Sequence, residues 1–261
     1  LGLIHGAVGF ISAGLINILE QKQKTIGFRF YRWLLQGADF IVCWSPLEER
    51  LYRELVGARA HFVRLEADTS FFVRDPAVHR EEYALCVGRD VGRDWATLFE
   101  ALEHTGISTK VVTSAHRVEG LTLPPTAELV TQHVSYPALL EWYTRARFVI
   151  VNPKEIHRFT GQRALLEALA MGKATLIART QSVVGTYDLV DGQDVLFYEP
   201  GDAQSLAQGI YRLQSDDRLV EILEERGLVY ARSLEQGGFG REVKKIILDV
   251  FNQQCYVRDR G

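Results

Sequence analysis

Two short turns in this chain carry residue types that bind phosphate. The first, R-D-V-G-R from Arg89 to Arg93, directly follows the apolar run Y-A-L-C-V. The second, Thr160-Gly161, leads into a Leu- and Ala-rich run that starts at Gln162. A glycine turn brings backbone N–H groups close to a ligand, an arginine fork pairs with two phosphate oxygens, and a helix N-terminus carries partial positive charge. The two turns are therefore candidates for a diphosphate site, although arginines at loop tips are usually only solvated.

The segment after the second turn has the pattern of one unit of a parallel α/β sheet. The composition of residues 162–171 predicts a helix, and Gly172 is placed to end it. The apolar run A-T-L-I-A at 174–178 then predicts a buried strand. In such sheets, ligands bind where loops enter helices at the carboxyl edge. Thr160 is also suited to be the N-cap of this helix, and the two roles are compatible.

Two charged side chains of this helix point to a ligand. Glu167 stands among apolar neighbours, so the helix is expected to be mostly buried and the carboxylate to need a partner. Arg163 lies in the first turn, where the helix dipole disfavours a cation unless an anion binds nearby. Both observations favour a functional role over an ordinary solvent-exposed one.

Three segments in order resemble retaining nucleotide-sugar glycosyltransferases of glycosyltransferase family 4, which have the GT-B fold. G-Q-R-A-L-L-E-A-L-A-M-G-K-A-T-L-I-A resembles the helix and strand of that family's donor site. V-G-R-D-V-G-R-D at 87–94 resembles its phosphate-binding turn. Residues 187–207 resemble the strand, loop and helix beyond the donor site. The resemblance extends over residues 84–215.

The resemblance implies a hexosyltransferase-like enzyme that transfers a sugar from a nucleoside-diphosphate sugar to an acceptor hydroxyl and retains the anomeric configuration. The acceptor is an unknown glycan, lipid or small molecule. It implies no cofactor and no metal, and the chain has no Asp-x-Asp and no metal-ligand spacing. It assigns roles to these residues: catalytic His5; diphosphate-binding Arg89, Arg93, Thr160, Gly161, Gln162 and Arg163; ribose-binding Glu167; and Ser135 and Tyr136 in the loop beside the base.

The sequence also departs from the family pattern. Phe159 occupies the place of the first of two family glutamates, of which Glu167 matches the second. Glu155 or His157 are candidates to replace it. Arg93 stands where the family has Lys. These departures keep open a catalytically silent GT-B-like protein that binds nucleotide or serves as a partner. A dinucleotide oxidoreductase is disfavoured because no G-x-G-x-x-G follows a predicted strand.

The predicted fold class is α/β, a doubly wound Rossmann-like parallel sheet with a partial second Rossmann-like domain. The predicted domains are an acceptor-side part and link at 1–72, the donor domain at 73–236 and a terminal helix at 237–261 that crosses back. The link contains Asp68 and Phe72 at family positions, but the usual Asn-Gly before that Asp is absent. A full acceptor domain needs more βα units than about 70 residues supply, so we expect either a fragment, which the non-Met first residue favours, or a drastically reduced fold.

Residue patterns place the individual elements. Predicted strands lie at 1–5, 39–44, 83–87, 110–113, 128–131, 148–152 and 174–178. An apolar helix is predicted after His5, and further helices at 28–36, from Ser45 onward, and at 95–102, 137–145, 162–171, 203–214, 216–233 and 241–251. At Ser45-Pro46, Glu48 sits where a capping box needs its acid.

The composition sets broad limits on partners and compartment. The chain is 47% hydrophobic and 24% charged with net charge −3, which gives no electrostatic reason to expect nucleic acid. Three separated cysteines form no disulfide framework, so the cytoplasm is the expected compartment, with peripheral membrane contact left open. Residues 1–19 are uncharged and just long enough to span a bilayer, but four glycines favour a strand, turn and buried helix.

Overall fold

The computed structural model describes residues 8–12, 15, 16, 19, 25–234 and 238–258, with side chains up to residue 252. The chain divides into two compact units. The first unit comprises Leu1–Leu65, Ile156–Phe159 and Gly237–Gly261. The second comprises Glu66–Glu155 and Thr160–Gln236.

Nine strands and nine helices are named here over the described residues. The strands are β1 (Gly9–Ile11), β2 (Phe40–Cys43), β3 (Ala60–Phe62), β4 (Ala84–Val87), β5 (Thr109–Val112), β6 (Ala127–Val130), β7 (Phe148–Val151), β8 (Thr175–Ala178) and β9 (Leu196–Tyr198). The helices are α1 (Ile26–Gln36), α2 (Pro46–Leu51), α3 (Trp95–Thr105), α4 (Tyr136–Arg145), α5 (Gln162–Ala170), α6 (Gln181–Thr186), α7 (Ala203–Ser215), α8 (Asp217–Ser233) and α9 (Gly238–Arg258).

The first unit is built on a three-stranded parallel sheet in the order β1-β2-β3. Strand β2 is buried at every residue, and Ile246 and Val250 of α9 pack with its Phe40 and Val42. The buried Leu35 of α1 and the partly buried Leu51 of α2 join the opposite apolar cluster with Ile41. The terminal helix therefore covers one face of this small sheet.

The apolar helix predicted after His5 starts later than expected, because strand β1 occupies Gly9–Ile11 and the described residues Leu15, Ile16 and Leu19 are helical. A Cβ on Gly9 would lie only 2.2 Å from the Phe40 ring, so the close approach of the two strands depends on this glycine. A short apolar run does not by itself distinguish a buried helix from a strand. The predicted strand at 1–5 and His5 itself lie outside the described residues.

The second unit is built on a six-stranded parallel sheet in the order β6-β5-β4-β7-β8-β9. Helix α3 packs on α7, and α5 packs on α8. From β4 the chain proceeds to β5 on one side, then returns to β7 on the other, so the strand order reverses between β4 and β7. Such a reversal opens a crevice at the carboxyl ends of the two strands, where α/β proteins bind ligands. The predicted Rossmann-like α/β class is confirmed.

The strands predicted between residues 39 and 178 each match an observed strand to within one residue at either end. Strand β3 and helix α6 were not predicted. The N-cap prediction for Thr160 is wrong, because Gly161 is the N-cap of α5. Gly172 does end that helix region with the left-handed backbone that favours glycine, at φ 59°.

The cap predicted at Ser45 forms with one difference. The Ser45 hydroxyl accepts from the Glu48 N–H at 3.2 Å, but the Glu48 carboxylate accepts from Trp44, one residue before the cap. Glu48 is fully buried, and its Oε1 has no hydrogen-bond partner among the described residues. Burial raises the pKa of this carboxyl to about 7, against smaller lowering effects of the Trp44 N–H and Arg158.

This raised pKa predicts a specific pH dependence of stability. The unfolded chain releases the Glu48 proton near pH 4.5 and the folded chain near 7, so stability due to this group falls as pH rises between these values. Glu48→Gln keeps an acceptor for Trp44 and cannot ionise. Relative to this variant, wild type is expected to lose about 3 kcal/mol of unfolding free energy between pH 4.5 and 7, measured by denaturant titration. A constant difference would contradict a neutral buried carboxyl.

Candidate functional site

The loops after β4 and β7 are joined at the crevice of the second unit. The Lys154 N–H donates to the Gly92 carbonyl at 2.8 Å, and the Asp94 N–H donates to the Asn152 carbonyl at 2.8 Å. The Thr160 hydroxyl also donates to the Gly92 carbonyl at 2.8 Å. The predicted phosphate-binding turn is thus held against the segment that leads into α5.

Arg93 lies beneath this junction. Its side chain is 2% exposed. Nε donates to the Asp90 carboxylate at 2.9 Å, Nη1 to Asn152 Oδ1 at 3.2 Å, and Nη2 to the Val87 carbonyl at 2.7 Å. These bonds use three of the five N–H groups of the guanidinium. One N–H on each terminal nitrogen forms no hydrogen bond with the described residues.

Two glycines make room for the Arg93 guanidinium. A Cβ on Gly88 would lie 2.5 Å from Nε, and a Cβ on Gly161 would lie 3.2 Å from Nη1. Gly161 also has φ 79°, a conformation that side-chain-bearing residues rarely adopt. The guanidinium therefore lies against the backbone at the N-terminus of α5, where the sequence predicts phosphate binding.

Arg89 occupies a different position in the same turn. It is exposed, and its Nη2 donates to the Gln132 carbonyl, while its own carbonyl accepts from Arg117 Nε at 3.2 Å. The two arginines predicted to act together are thus one buried and one exposed. Arg89 retains most of its donors toward solvent, as a ligand-binding arginine requires.

The N-terminus of α5 has no side-chain cap, because its N-cap is Gly161. The first N–H groups of a helix lack partners within the helix and favour an anion. Gln162 is buried, and its side-chain amide donates to the Tyr187 hydroxyl at 2.8 Å. Arg163 is exposed. The side chains of Thr160 and Gln162 are thus occupied within the protein, so any contact of theirs with a ligand falls to the backbone.

Glu167 has the partner that the sequence required. The Tyr143 hydroxyl of α4 donates to Glu167 Oε2 at 3.0 Å, and Tyr143 is fully buried. Burial raises the pKa of the Glu167 carboxyl, and the Tyr143 bond, Arg163 and Arg93 act in the opposite direction. The carboxylate is half-buried, with Oε1 still able to accept hydrogen bonds.

Ser135 and Tyr136 begin α4 at the same edge of the sheet. The Ser135 hydroxyl accepts from the Ala138 N–H and caps the helix. Tyr136 remains 54% exposed and packs edge-to-face on Phe71, with ring centroids 5.6 Å apart. Tyr136 and Tyr143 are seven residues apart and therefore share one face of α4.

Sequence reasoning missed two residues that organise this site. Tyr143 holds Glu167, and Asn152 bridges Arg93 and the Asp94 carbonyl. A polar residue directly after the apolar strand F-V-I-V was a usable signal for Asn152. Tyr143 gave none, because its role depends on how two helices pack.

Glu155, one of the two candidates to replace the missing family glutamate, already has a hydrogen-bond partner. The Glu155 carboxylate accepts from the Gln181 N–H at 3.0 Å, at the N-terminus of α6. Phe159 is 5% exposed. His5, the predicted catalytic residue, lies outside the described residues. Within the described ranges, no group of three or more His, Cys, Asp or Glu side chains could hold a metal ion.

Neither the scan of protein-family models nor the search of curated proteins finds a match to this chain. Solved structures do match. Sucrose-phosphate synthase from Thermosynechococcus elongatus superposes with a TM-score of 0.70 at 19% identity, over 97% of this chain and 68% of its own. Anabaena HepE in complex with UDP and glucose superposes with a TM-score of 0.72 at 13% identity, over 95% of this chain and 71% of its own. WaaG, a glycosyltransferase involved in lipopolysaccharide biosynthesis, superposes with a TM-score of 0.72 at 14% identity, over 93% of this chain and 75% of its own.

These identities are low, so the similarity concerns the fold. The matched structures are GT-B glycosyltransferases, and each superposition includes most of this chain. The parallel sheets described above are of the same Rossmann-like type. The chain therefore has the fold of the GT-B glycosyltransferases.

Proposed function

We propose that this chain is part of a retaining, metal-independent glycosyltransferase similar to family 4, which transfers a sugar from a nucleoside-diphosphate sugar to an acceptor hydroxyl. The observation that carries the proposal is the arrangement at the crevice between β4 and β7. There Arg93 lies against Gly161 at an uncapped helix N-terminus, and Glu167 stands one and a half turns further along that helix. In this order along the site, the Arg93 cation and the helix N-terminus suit the diphosphate of a nucleotide, and the Glu167 carboxylate suits the ribose next to it.

In this proposal each group has a distinct task. The backbone N–H groups at Thr160–Gln162, with Arg89, Arg163 and the remaining N–H groups of Arg93, bind the diphosphate. Their positive charge is fixed in place before reaction, so it stabilises the nucleoside diphosphate as the glycosidic bond breaks. The departing phosphate oxygen then accepts the proton of the acceptor hydroxyl. No metal and no cofactor are needed for these steps.

Glu167 Oε1 accepts from the ribose hydroxyls, and the loop at Ser135–Tyr136 lies beside the base. Because the structure of HepE contains UDP, a uridine nucleotide is the first donor to test. The acceptor is an unidentified glycan, lipid or small molecule. We place the protein in the cytoplasm, with peripheral contact to a membrane. The free, buried thiols of Cys43 and Cys86 fit a reducing compartment.

Nucleotide binding tests this proposal directly. We expect UDP, GDP or ADP to raise the thermal unfolding midpoint, because a ligand that binds only the folded state stabilises it by mass action. At a hundredfold excess over Kd the gain is about 2.7 kcal/mol, or roughly 5–10 °C for a chain of this size. A midpoint unchanged by all three nucleotides would contradict an intact donor site.

One feature favours a second candidate, a catalytically silent GT-B-like protein that binds nucleotide or serves as a partner. Phe159 cannot hydrogen-bond sugar hydroxyls, and the Glu155 carboxylate is already engaged at α6. Release of UDP from UDP-sugars distinguishes the candidates. Binding with slow turnover supports the transferase, whereas binding with no release of nucleotide from any donor sugar supports the silent protein.

A further inference from the structure

Helix α1 has two apolar faces. One face, with Phe28, Tyr31 and the buried Leu35, packs on the core of the first unit. The other face points to solvent and carries apolar side chains with high exposure: Ile26 at 88%, Phe30 at 58%, Trp33 at 68% and Leu34 at 54%. A surface helix of a globular protein usually has one apolar stripe opposite a polar face. The outer face of α1 therefore needs a partner.

The charge of α1 indicates the kind of partner. Its exposed flank carries Arg29 and Arg32, and none of its residues is Asp or Glu. The helix thus carries two positive charges in a chain whose net charge is −3. Phe, Trp and Leu beside arginines are typical of helices that lie in the interface of an anionic bilayer.

An apolar groove adjoins this face. Its volume is about 650 Å³, and its lining includes Trp33 and Leu34 of α1. Val8, Phe10 and Leu15 also line it. Such a groove extends the apolar surface beyond the helix and suits hydrocarbon chains better than a polar ligand.

We propose that the outer face of α1 binds the surface of an anionic membrane, with Phe30, Trp33 and Leu34 inserted and Arg29 and Arg32 at the headgroups. This inference rests on the peripheral membrane contact in the proposed function and names the surface responsible. At 11 residues α1 is about 17 Å long, too short for the hydrocarbon core of about 30 Å, so it lies along the bilayer. No helix in the described ranges is long and apolar enough to cross one.

A second copy of the chain fits this face less well. Symmetric pairing through α1 would bring four arginines into one interface, and the helix has no carboxylate to pair with them. Anionic headgroups supply that negative charge. The bilayer is therefore the occupant favoured by both the apolar and the basic side chains.

Vesicle co-sedimentation of the full chain tests the inference. Wild type is expected to bind vesicles of phosphatidylcholine and phosphatidylglycerol more tightly than vesicles of phosphatidylcholine alone. Phe30→Ser with Trp33→Ser should lower the partition coefficient by about tenfold or more. Phe251→Ser removes a phenyl ring that is 44% exposed on α9 and serves as the matched control, with no loss expected.

The basic side chains are tested separately. Arg29→Gln with Arg32→Gln should weaken binding to the anionic vesicles by about fivefold per arginine and leave binding to neutral vesicles unchanged. Arg218→Gln with Arg232→Gln makes the same charge change on exposed residues of α8 and should have little effect. Equal losses in both pairs would indicate that net charge, rather than α1, governs binding, and would overturn the proposal.

Two further outcomes would also overturn it. In the first, the wild-type chain does not sediment with anionic vesicles. In the second, the wild-type chain is a dimer and Phe30→Ser with Trp33→Ser dissociates it, which would assign the face to a second copy. The nucleotide-induced rise of the thermal unfolding midpoint should be the same in the α1 variants as in wild type. If nucleotide does not raise the midpoint of wild type, that result contradicts donor binding and not the membrane proposal, so the two proposals fail separately.

Discussion

Arg93→Ala is expected to destabilise the second unit by about 3–5 kcal/mol, the usual cost of removing one partner from a buried ion pair. The substitution leaves the Asp90 carboxylate, Asn152 Oδ1 and the Val87 carbonyl without the fork that joins them. It also empties the space between Gly88 and Gly161. Denaturant titration measures the loss, and nucleotide binding should be lost with it.

Arg89→Ala is the matched control, since it removes an exposed arginine from the same turn. We expect its unfolding free energy to stay within about 0.5 kcal/mol of wild type. Its affinity for a nucleoside diphosphate should fall more than its affinity for the bare nucleoside. Arg93→Lys should be intermediate in stability, because one ammonium cannot reproduce three directed bonds. An Arg93→Ala variant as stable as wild type would contradict the structural role.

Arg93 is buried and Arg89 is exposed, and this difference shows what the sequence can and cannot predict. A glycine turn flanked by two arginines predicts where the turn lies, because the strand before it has a clear apolar pattern. The sequence does not show that the carboxyl ends of β4 and β7 converge on Arg93. That convergence comes from a parallel pairing over 60 residues apart in the chain. The buried role of Arg93 could therefore be seen only in the structure.

Local signals also explain the other outcomes. Strands β4 to β8 of the second unit were predicted because each is a short apolar run bounded by turns. Strand β1 was missed because Gly9 and its neighbours have no strand periodicity, and its position depends on the Phe40 ring across the sheet. The cap at Gly161 was assigned to Thr160 because Thr is the better intrinsic cap. The Thr160 hydroxyl instead binds the Gly92 carbonyl from another loop.

The outer face of α1 is a further case. The sequence predicts this helix, but its spacing does not distinguish a helix buried on both sides from one with an apolar face left in solvent. The structure distinguishes them, since Leu35 is buried and Trp33 is 68% exposed only two residues away. A transferase that acts on a lipid acceptor would need such a surface, so acceptor chemistry and α1 are best investigated together.

Glu167→Ala is expected to weaken binding of the nucleotide that stabilises wild type by about ten- to hundredfold, the range for losing hydrogen bonds to a charged acceptor. Tyr143 already occupies Oε2, so Oε1 is the atom left for the ribose hydroxyls. The removed carboxylate also leaves the buried Tyr143 hydroxyl without an acceptor, at a cost of about 1–3 kcal/mol in stability. Isothermal titration calorimetry and thermal unfolding measure the two losses.

Two companion variants separate the ribose contact from the packing of α4 on α5. Glu167→Gln keeps an acceptor for Tyr143, so its stability should match wild type while its nucleotide affinity falls. Tyr143→Phe keeps the carboxylate and should lose less affinity than Glu167→Ala. Because burial raises the pKa of Glu167, wild-type affinity should begin to fall on acidification above pH 4.5, and Glu167→Gln should not show this fall. Affinity that is unchanged in Glu167→Ala for UDP, GDP and ADP would exclude the ribose role.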